Sequence, residues 1–290
     1  MKVIQAELLV DSRCKLAEGP IYDHQRNGLY WLDIEANRIY YMDLSSERVL
    51  YIQMDRPIGS IVLTDKGNIL AGMDDGVYLI NELRCEPYCL MKEAAAENIR
   101  FNDGKCDPAG RFIVGTQVNP NNAELGCLFS VTGKNTYEVL SCGLGCSNGL
   151  AWTTDGKTMY HVDSLVQTPS KVFAYDYNVE TGTATNRREI IDYAPLAQKG
   201  ILADGMTIDC QGNLWIAEWG GYGVGCWDPR TGTKIAHVAV PAERVSCCTF
   251  GGEDNKTLFI TTAAGDGQYA GGVFQAKMDV AGFTSVNYCE

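Results

Sequence analysis

Long apolar runs are missing from this chain, and so is any surplus of bases. No stretch of about 18 apolar residues, the length a membrane-crossing helix needs, occurs in its 290 residues, and the start, MKVIQAELLVDSRCKLAEGP, lacks the uninterrupted apolar segment of an export signal. A soluble, cytoplasmic protein is expected. Lys and Arg number 24 against 36 Asp and Glu, for a formal charge of −12 without a basic stripe. Such a surface repels phosphate backbones and anionic membranes, which speaks against both as partners. Histidine is scarce, with only His24, His161 and His237, and the spacings a zinc finger requires are absent. Twelve cysteines are present, yet Cys85/Cys89, Cys142/Cys146 and Cys247/Cys248 match no zinc or redox motif, so most are expected to be buried thiols. Helical periodicity is nearly absent as well; only MKEAAAEN, 91 to 98, has helical character.

What the chain does have is a large apolar share, 46%, with no linker or low-complexity tract, which predicts one domain over residues 1–290. It also repeats itself. A polar turn containing Asp and usually Gly, followed by a short strand of aromatic and branched residues, occurs six times: DHQRNGLYWLD, TDKGNILAGMD, DPAGRFIVGT, TDGKTMYHVD, DCQGNLWIAE and GEDNKTLFITT. Aligned on Leu29, Ile69, Phe112, Met159, Leu214 and Leu258, the copies recur every 40 to 55 residues. That is the period at which one unit supplies the roughly four strands of a propeller blade. The fold predicted is all-β, a six-bladed β-propeller. A β-sandwich is the alternative for short, evenly spaced strands, but it gives no reason for a composite motif to repeat.

Equivalent positions of successive blades lie on a ring, so polar residues at one phase of the repeat can converge on the channel mouth. Glu18, Asn102, Asn148 and Asp204 stand 10 or 11 residues before the aligned positions of their units, while the second and sixth units offer Gly59 or Ser60 and Ser246. Glu18-Gly19, Asn148-Gly149 and Asp204-Gly205 share a pattern, and Asn102-Asp103-Gly104 is a near variant. Taken alone, Asp204 before a glycine reads as a turn acid. In phase with the others, it reads as one member of a ring of oxygens. Two carboxylates and two amides gathered without thiols favour a divalent cation, Ca²⁺, Mg²⁺ or Mn²⁺, with Zn²⁺ admissible where water completes the coordination. Arg100 and Asn102, beside the ring, could form a capped turn or could orient a substrate through their donors and acceptor.

The segments AEGPIYD, RFNDGKCDPAGRFIVGT, SNGLAW and ADGMTIDCQGNLWIA, in that order, resemble the SMP-30/gluconolactonase family, which includes regucalcin and luciferin-regenerating enzymes. The resemblance runs from about Leu16 to the C-terminus. It implies a six-bladed propeller with one divalent metal held at Glu18, Asn148 and Asp204, hydrolysis of a sugar lactone, and substrate contacts from Arg100 and Asn102. Regucalcin-type members also carry a glutamate after the Gly-Thr of the third unit. Here Gly115-Thr116 is followed by QVNPNNAELG, with Asn119 or Pro120 where the acid would be and Glu124 nearby.

The mechanism expected from these parts uses the metal as a Lewis acid on the lactone carbonyl and Asp204 as the base that takes a proton from water, with Arg100 and Asn102 on the ring hydroxyls. No G-x-S-x-G elbow is present, and Cys146-Ser147 has no histidine close in sequence, so a nucleophilic triad is the poorer account. Two readings from other classes use the same features: a non-catalytic Ca²⁺-binding regulatory protein, and a plain interaction platform. YWLD at 30 to 33 resembles the YWTD of exported receptor propellers, from which this chain differs in lacking an export signal. Which lactone, which metal and which oligomeric state are not set by these residues.

Overall fold

Each repeat folds into its own antiparallel sheet, and the first strands of the six sheets pack side by side around one axis. In a computed structural model that describes residues 1–81, 84–91, 98–118, 123–165 and 168–290, the first blade runs outward from Ala17–Asp23 through Gly28–Asp33 and Arg38–Asp43 to Arg48–Gln53. The second follows with Ile58–Leu63, Ile69–Met73, Gly76–Ile80 and Cys85–Leu90, and the third with Ile99–Cys106, Phe112–Val118, Gly126–Gly133 and Thr136–Leu144. The fourth comprises Ser147–Trp152, Thr158–Asp163, Lys171–Asn178 and Thr183–Asp192; the fifth comprises Leu202–Ile208, Leu214–Trp219, Gly223–Asp228 and Thr233–Ala239. Val245–Gly251, Thr257–Thr262 and Val273–Lys277 form the sixth, whose outer strand is Glu7–Val10 from the other end of the chain. Lys2–Gln5 adds a parallel fifth strand to the fifth blade. The ring is thus closed by hydrogen bonds between the two ends of the chain.

The six-bladed propeller is the fold expected, and six sheets packed around one axis, five of four strands and one of five, exclude the sandwich. The aligned residues Leu29 to Leu258 all open or lie in the second strand of their blades, so the period measured in the sequence is the blade period. The Asp of the motif clasps the turn between first and second strands. Asp107 Oδ1 accepts from the N–H groups of Ala109 and Arg111, and Asp209 Oδ1 from those of Gln211 and Asn213. Gly110 and Gly212 take the left-handed conformation that follows, at φ +81° and +84°.

Burial explains why the first strands escape a search for alternation. Every residue of Ile58–Leu63 is buried, because neighbouring blades cover both faces, whereas every residue of Arg48–Gln53, at the rim, is exposed.

Two expectations need comment. Cys127 and Cys142 form a disulfide across the third and fourth strands of the third blade, an exception to the expectation that most cysteines are buried thiols. Their pairing depends on strand register, which spacing in the sequence does not reveal. Seven of the other ten cysteines are buried thiols. Most of MKEAAAEN, 91–98, where a short turn and a helix are equally open, lies outside the described residues. No helix among the described residues is long and apolar enough to cross a membrane.

Candidate active site

All six first strands carry a break in register at the same height. It falls between Glu18 and Ile21, Ile58 and Ser60, Phe101 and Gly104, Ser147 and Leu150, Ala203 and Met206, and Val245 and Cys247. Extra residues at such a bulge leave the ladder and re-aim their side chains. Glu18, Asn102, Asn148, Asp204 and Ser246 all sit at these breaks, so the phase seen in the sequence is a ring of bulges inside the first strands.

Glu18, Arg100, Asn102, Asn148 and Asp204 line one cavity of about 230 Å³. All five residues singled out from the sequence meet there. Leu16, Leu202 and Trp219 supply an apolar wall, and Gln117, Cys146, Ser164 and Ala203 complete the lining. The glycine after each polar residue lets one first strand approach the next. A Cβ on Gly149 would stand 2.4 Å from the backbone nitrogen of Met206, and one on Gly205 would stand 2.2 Å from Cys247 Sγ. These glycines also donate: Gly19 N–H to Glu18 Oε2 at 2.9 Å and Gly104 N–H to Asp103 Oδ1 at 2.7 Å.

Hydrogen bonds join the third blade to the fourth. Asn102 Nδ2 donates to Asn148 Oδ1 at 2.6 Å and to Ser147 O at 2.9 Å, while Asn102 Oδ1 accepts from Arg100 Nη1 at 2.9 Å. Asp103, the residue after Asn102 in the Asn-Asp-Gly triplet, does not line this cavity but is close enough for its charge to act on Glu18 and Asp204.

Charge is crowded here. Burial, and then the negative charge of Asp103, push the Glu18 carboxyl up to about 8, against the opposing pull of the Gly19 N–H and Arg100. Asp204 is pushed well above the usual carboxylate range by burial first, then by Glu18 and Asp103. Burial raises Asp103 too, and Lys105 partly offsets it. Among the described residues no three His, Cys, Asp or Glu side chains form a metal cluster. Glu18 and Asp204 bring two carboxylates to the cavity lining, and Asn148 brings an amide oxygen. Hard oxygens and repelling carboxyls fit a divalent cation of the Ca²⁺, Mg²⁺ or Mn²⁺ type.

The remaining candidates fall outside the cavity lining. Glu124 is exposed and faces Lys171 at 3.8 Å; Asn119 and Pro120 lie outside the described residues. None of the three histidines lines the cavity. His161 Nε2 is 2.9 Å from Ser147 Oγ, a pairing that sequence distance concealed. Both residues are fully buried, burial lowers the His161 pKa to about 3, and the Ser147 side chain packs toward Gly115 within its blades. The pair is part of the core.

Fold and site together define a six-bladed propeller with an oxygen-lined pocket built from its first strands. Residues 16–264 match the model of the SMP-30/gluconolactonase/LRE-like region, and the chain belongs to that family. It is 32% identical over 295 residues to the Bacillus subtilis protein named "Putative sugar lactone lactonase YvrE", covering 98% of this chain and 99% of the relative. Regucalcin of Xenopus laevis is 34% identical over 269 residues, covering 91% of this chain and 88% of the relative. Among solved structures, a luciferin-regenerating enzyme superposes with a TM-score of 0.90 at 24% identity, covering 98% of this chain and 99% of that one, which is a likeness of fold.

Proposed function

We propose that this protein hydrolyses a sugar lactone to the free acid, with one divalent cation held by Glu18, Asn148 and Asp204. The observation that carries the reading is the meeting of those three residues with Arg100 and Asn102 on one cavity of about 230 Å³. Membership of the family and likeness to a relative named for sugar lactone lactonase activity support the same substrate class.

The chemistry a divalent cation supplies at such a place is Lewis acidity toward a carbonyl oxygen. Asp204 takes the proton from water as it attacks the lactone carbon, in the ionised form that a cation bound beside it would favour. Arg100 offers a donor and Asn102, whose amide hydrogens already bond Ser147 O and Asn148 Oδ1, offers its oxygen to the ring hydroxyls. Leu16, Leu202 and Trp219, which also line the cavity, suit the C–H face of a sugar ring. A base in this position contributes about 10²- to 10⁴-fold.

The test is acid release in a pH-stat from a panel of aldonolactones, before and after chelation and again after a divalent cation is restored. Hydrolysis that chelation removes and the cation returns is the expected result. Cation binding without acid release from any lactone favours a Ca²⁺-binding regulatory protein that uses the same oxygens without catalysis.

A further inference from the structure

Gln117 lies directly opposite Arg100 in the pairing of Ile99–Cys106 with Phe112–Val118, and on its other side it bridges to Cys146 of the fourth blade. It is buried, and its amide stands between the two side chains. A guanidinium has donors and no acceptor, so the amide face turned to it is the oxygen. In that orientation Gln117 Oε1 accepts from Arg100 Nη2 at 2.6 Å and from Nε at 2.8 Å. Arg100 Nη1 donates to Phe101 O at 3.0 Å and to Asn102 Oδ1 at 2.9 Å. Four of the guanidinium's five N–H groups are engaged by these bonds, leaving a single Nη2 donor for anything bound in the cavity.

We propose that Gln117 is the positioning residue of the substrate cavity: its amide oxygen pins the Arg100 guanidinium so that its one remaining donor is presented in a fixed direction to a lactone hydroxyl. The inference rests on the lactonase reading. A long side chain such as Arg loses conformational freedom on binding, and a partner that has already fixed it removes that cost from the encounter with substrate. A backbone cross-strand pair sets the distance between the two side chains. From Arg100 the order passes to Asn102, and from Asn102 Nδ2 to Asn148 Oδ1. Gln117 therefore acts on the site through Arg100 and touches no reacting atom.

Gln117→Met keeps the length and removes the acceptor; Gln117→Glu keeps the acceptor. With the lactone that the wild-type chain hydrolyses fastest, Gln117→Met is expected to raise KM about tenfold with kcat within about threefold, as loss of uniform binding requires. Gln117→Glu restores KM to within about threefold of wild type, and thermal midpoints of all variants stay within a few degrees. In an Arg100→Met background, Gln117→Met has no further effect, because its route to substrate is already gone. Unchanged KM in Gln117→Met, additive losses in the double variant, or failure of Gln117→Glu to rescue overturns the assignment. A wild-type chain that hydrolyses no lactone overturns both this inference and the function on which it rests, whereas an active wild type with an unchanged Gln117→Met variant overturns this inference alone.

Discussion

Asn102 Nδ2 reaches Asn148 Oδ1 at 2.6 Å across the seam between the third and fourth blades. The same amide group is held by Ser147 O, and its oxygen by Arg100 Nη1, so Asn102 cannot turn without breaking three contacts. The carbonyl of Asn148 is in this way aimed before anything binds. Groups that orient ligands typically contribute 10- to 100-fold in metal affinity. Asn102→Ala is therefore expected to weaken divalent-cation binding by about 10- to 100-fold, in addition to any effect on substrate, as read by titration calorimetry. Equal cation affinity in the variant and wild type would show that Asn148 holds its orientation unaided.

Asp204 bears two proposed roles, ligand and base, and a pair of substitutions separates them from the fold. Asp204→Asn preserves shape and one oxygen donor but removes the base; Asp204→Ala removes both. Each is expected to lower kcat on the preferred lactone by about 10²-fold or more with the cation saturating. The thermal midpoint of the metal-free protein should not fall, since the substitutions remove a buried carboxyl that two neighbouring acids repel. Near-wild-type turnover by Asp204→Asn would move the base to another residue.

The same crowding fixes the sign of a pH effect. Glu18 has an ordinary carboxyl pKa of 4.5 when unfolded and about 8 in the folded protein, through burial first and the charge of Asp103 second. Between those values the folded protein keeps a proton that the unfolded chain has released. Its contribution to stability is thus fully present below about 4.5 and is lost as pH rises through about 8. Asp204 acts in the same direction. Metal-free protein should melt at progressively lower temperature across this window, and a saturating divalent cation should flatten or reverse the trend because it favours the ionised carboxyls. Melting curves at a series of pH values, with and without cation, check the sign. A metal-free midpoint that rises between pH 5 and 8 would contradict the raised Glu18 pKa.

Much of this architecture was legible because the repeat is built from two local devices, an Asx-clasped turn and a strand that follows it. Both are set by a few adjacent residues. Phase then carried the argument from strands to site, and Glu18, Asn148, Asp204, Arg100 and Asn102 do share one cavity. What the sequence hid depends on register and on contacts between blades. Asp103 sits in the register break between Phe101 and Gly104, and Gln117 matters only because the ladder sets it opposite Arg100. The Cys127–Cys142 disulfide and the Ser147–His161 contact belong to the same class: neighbours across strands, distant along the chain.

Close approach of the first strands couples packing to the site. An added Cβ at Gly149 meets the backbone nitrogen of Met206 at 2.4 Å, and the Gly205 backbone at 2.8 Å. Backbone atoms cannot rotate aside, so relief requires the fourth and fifth blades to part. Asn148 precedes one of these glycines and Asp204 precedes the other, so the same movement separates two proposed cation donors. Gly149→Ala is expected to destabilise the protein by about 1 to 3 kcal/mol, the usual penalty of overpacking, and to weaken cation binding as well. Gly212→Ala supplies the contrast. Gly212 has φ +84° with nothing within 4 Å of an added Cβ, so its substitution strains only a surface turn. It should lower the melting temperature while leaving cation affinity unchanged. If Gly149→Ala binds the cation as tightly as Gly212→Ala does, the spacing of the fourth and fifth blades does not set the geometry of the site.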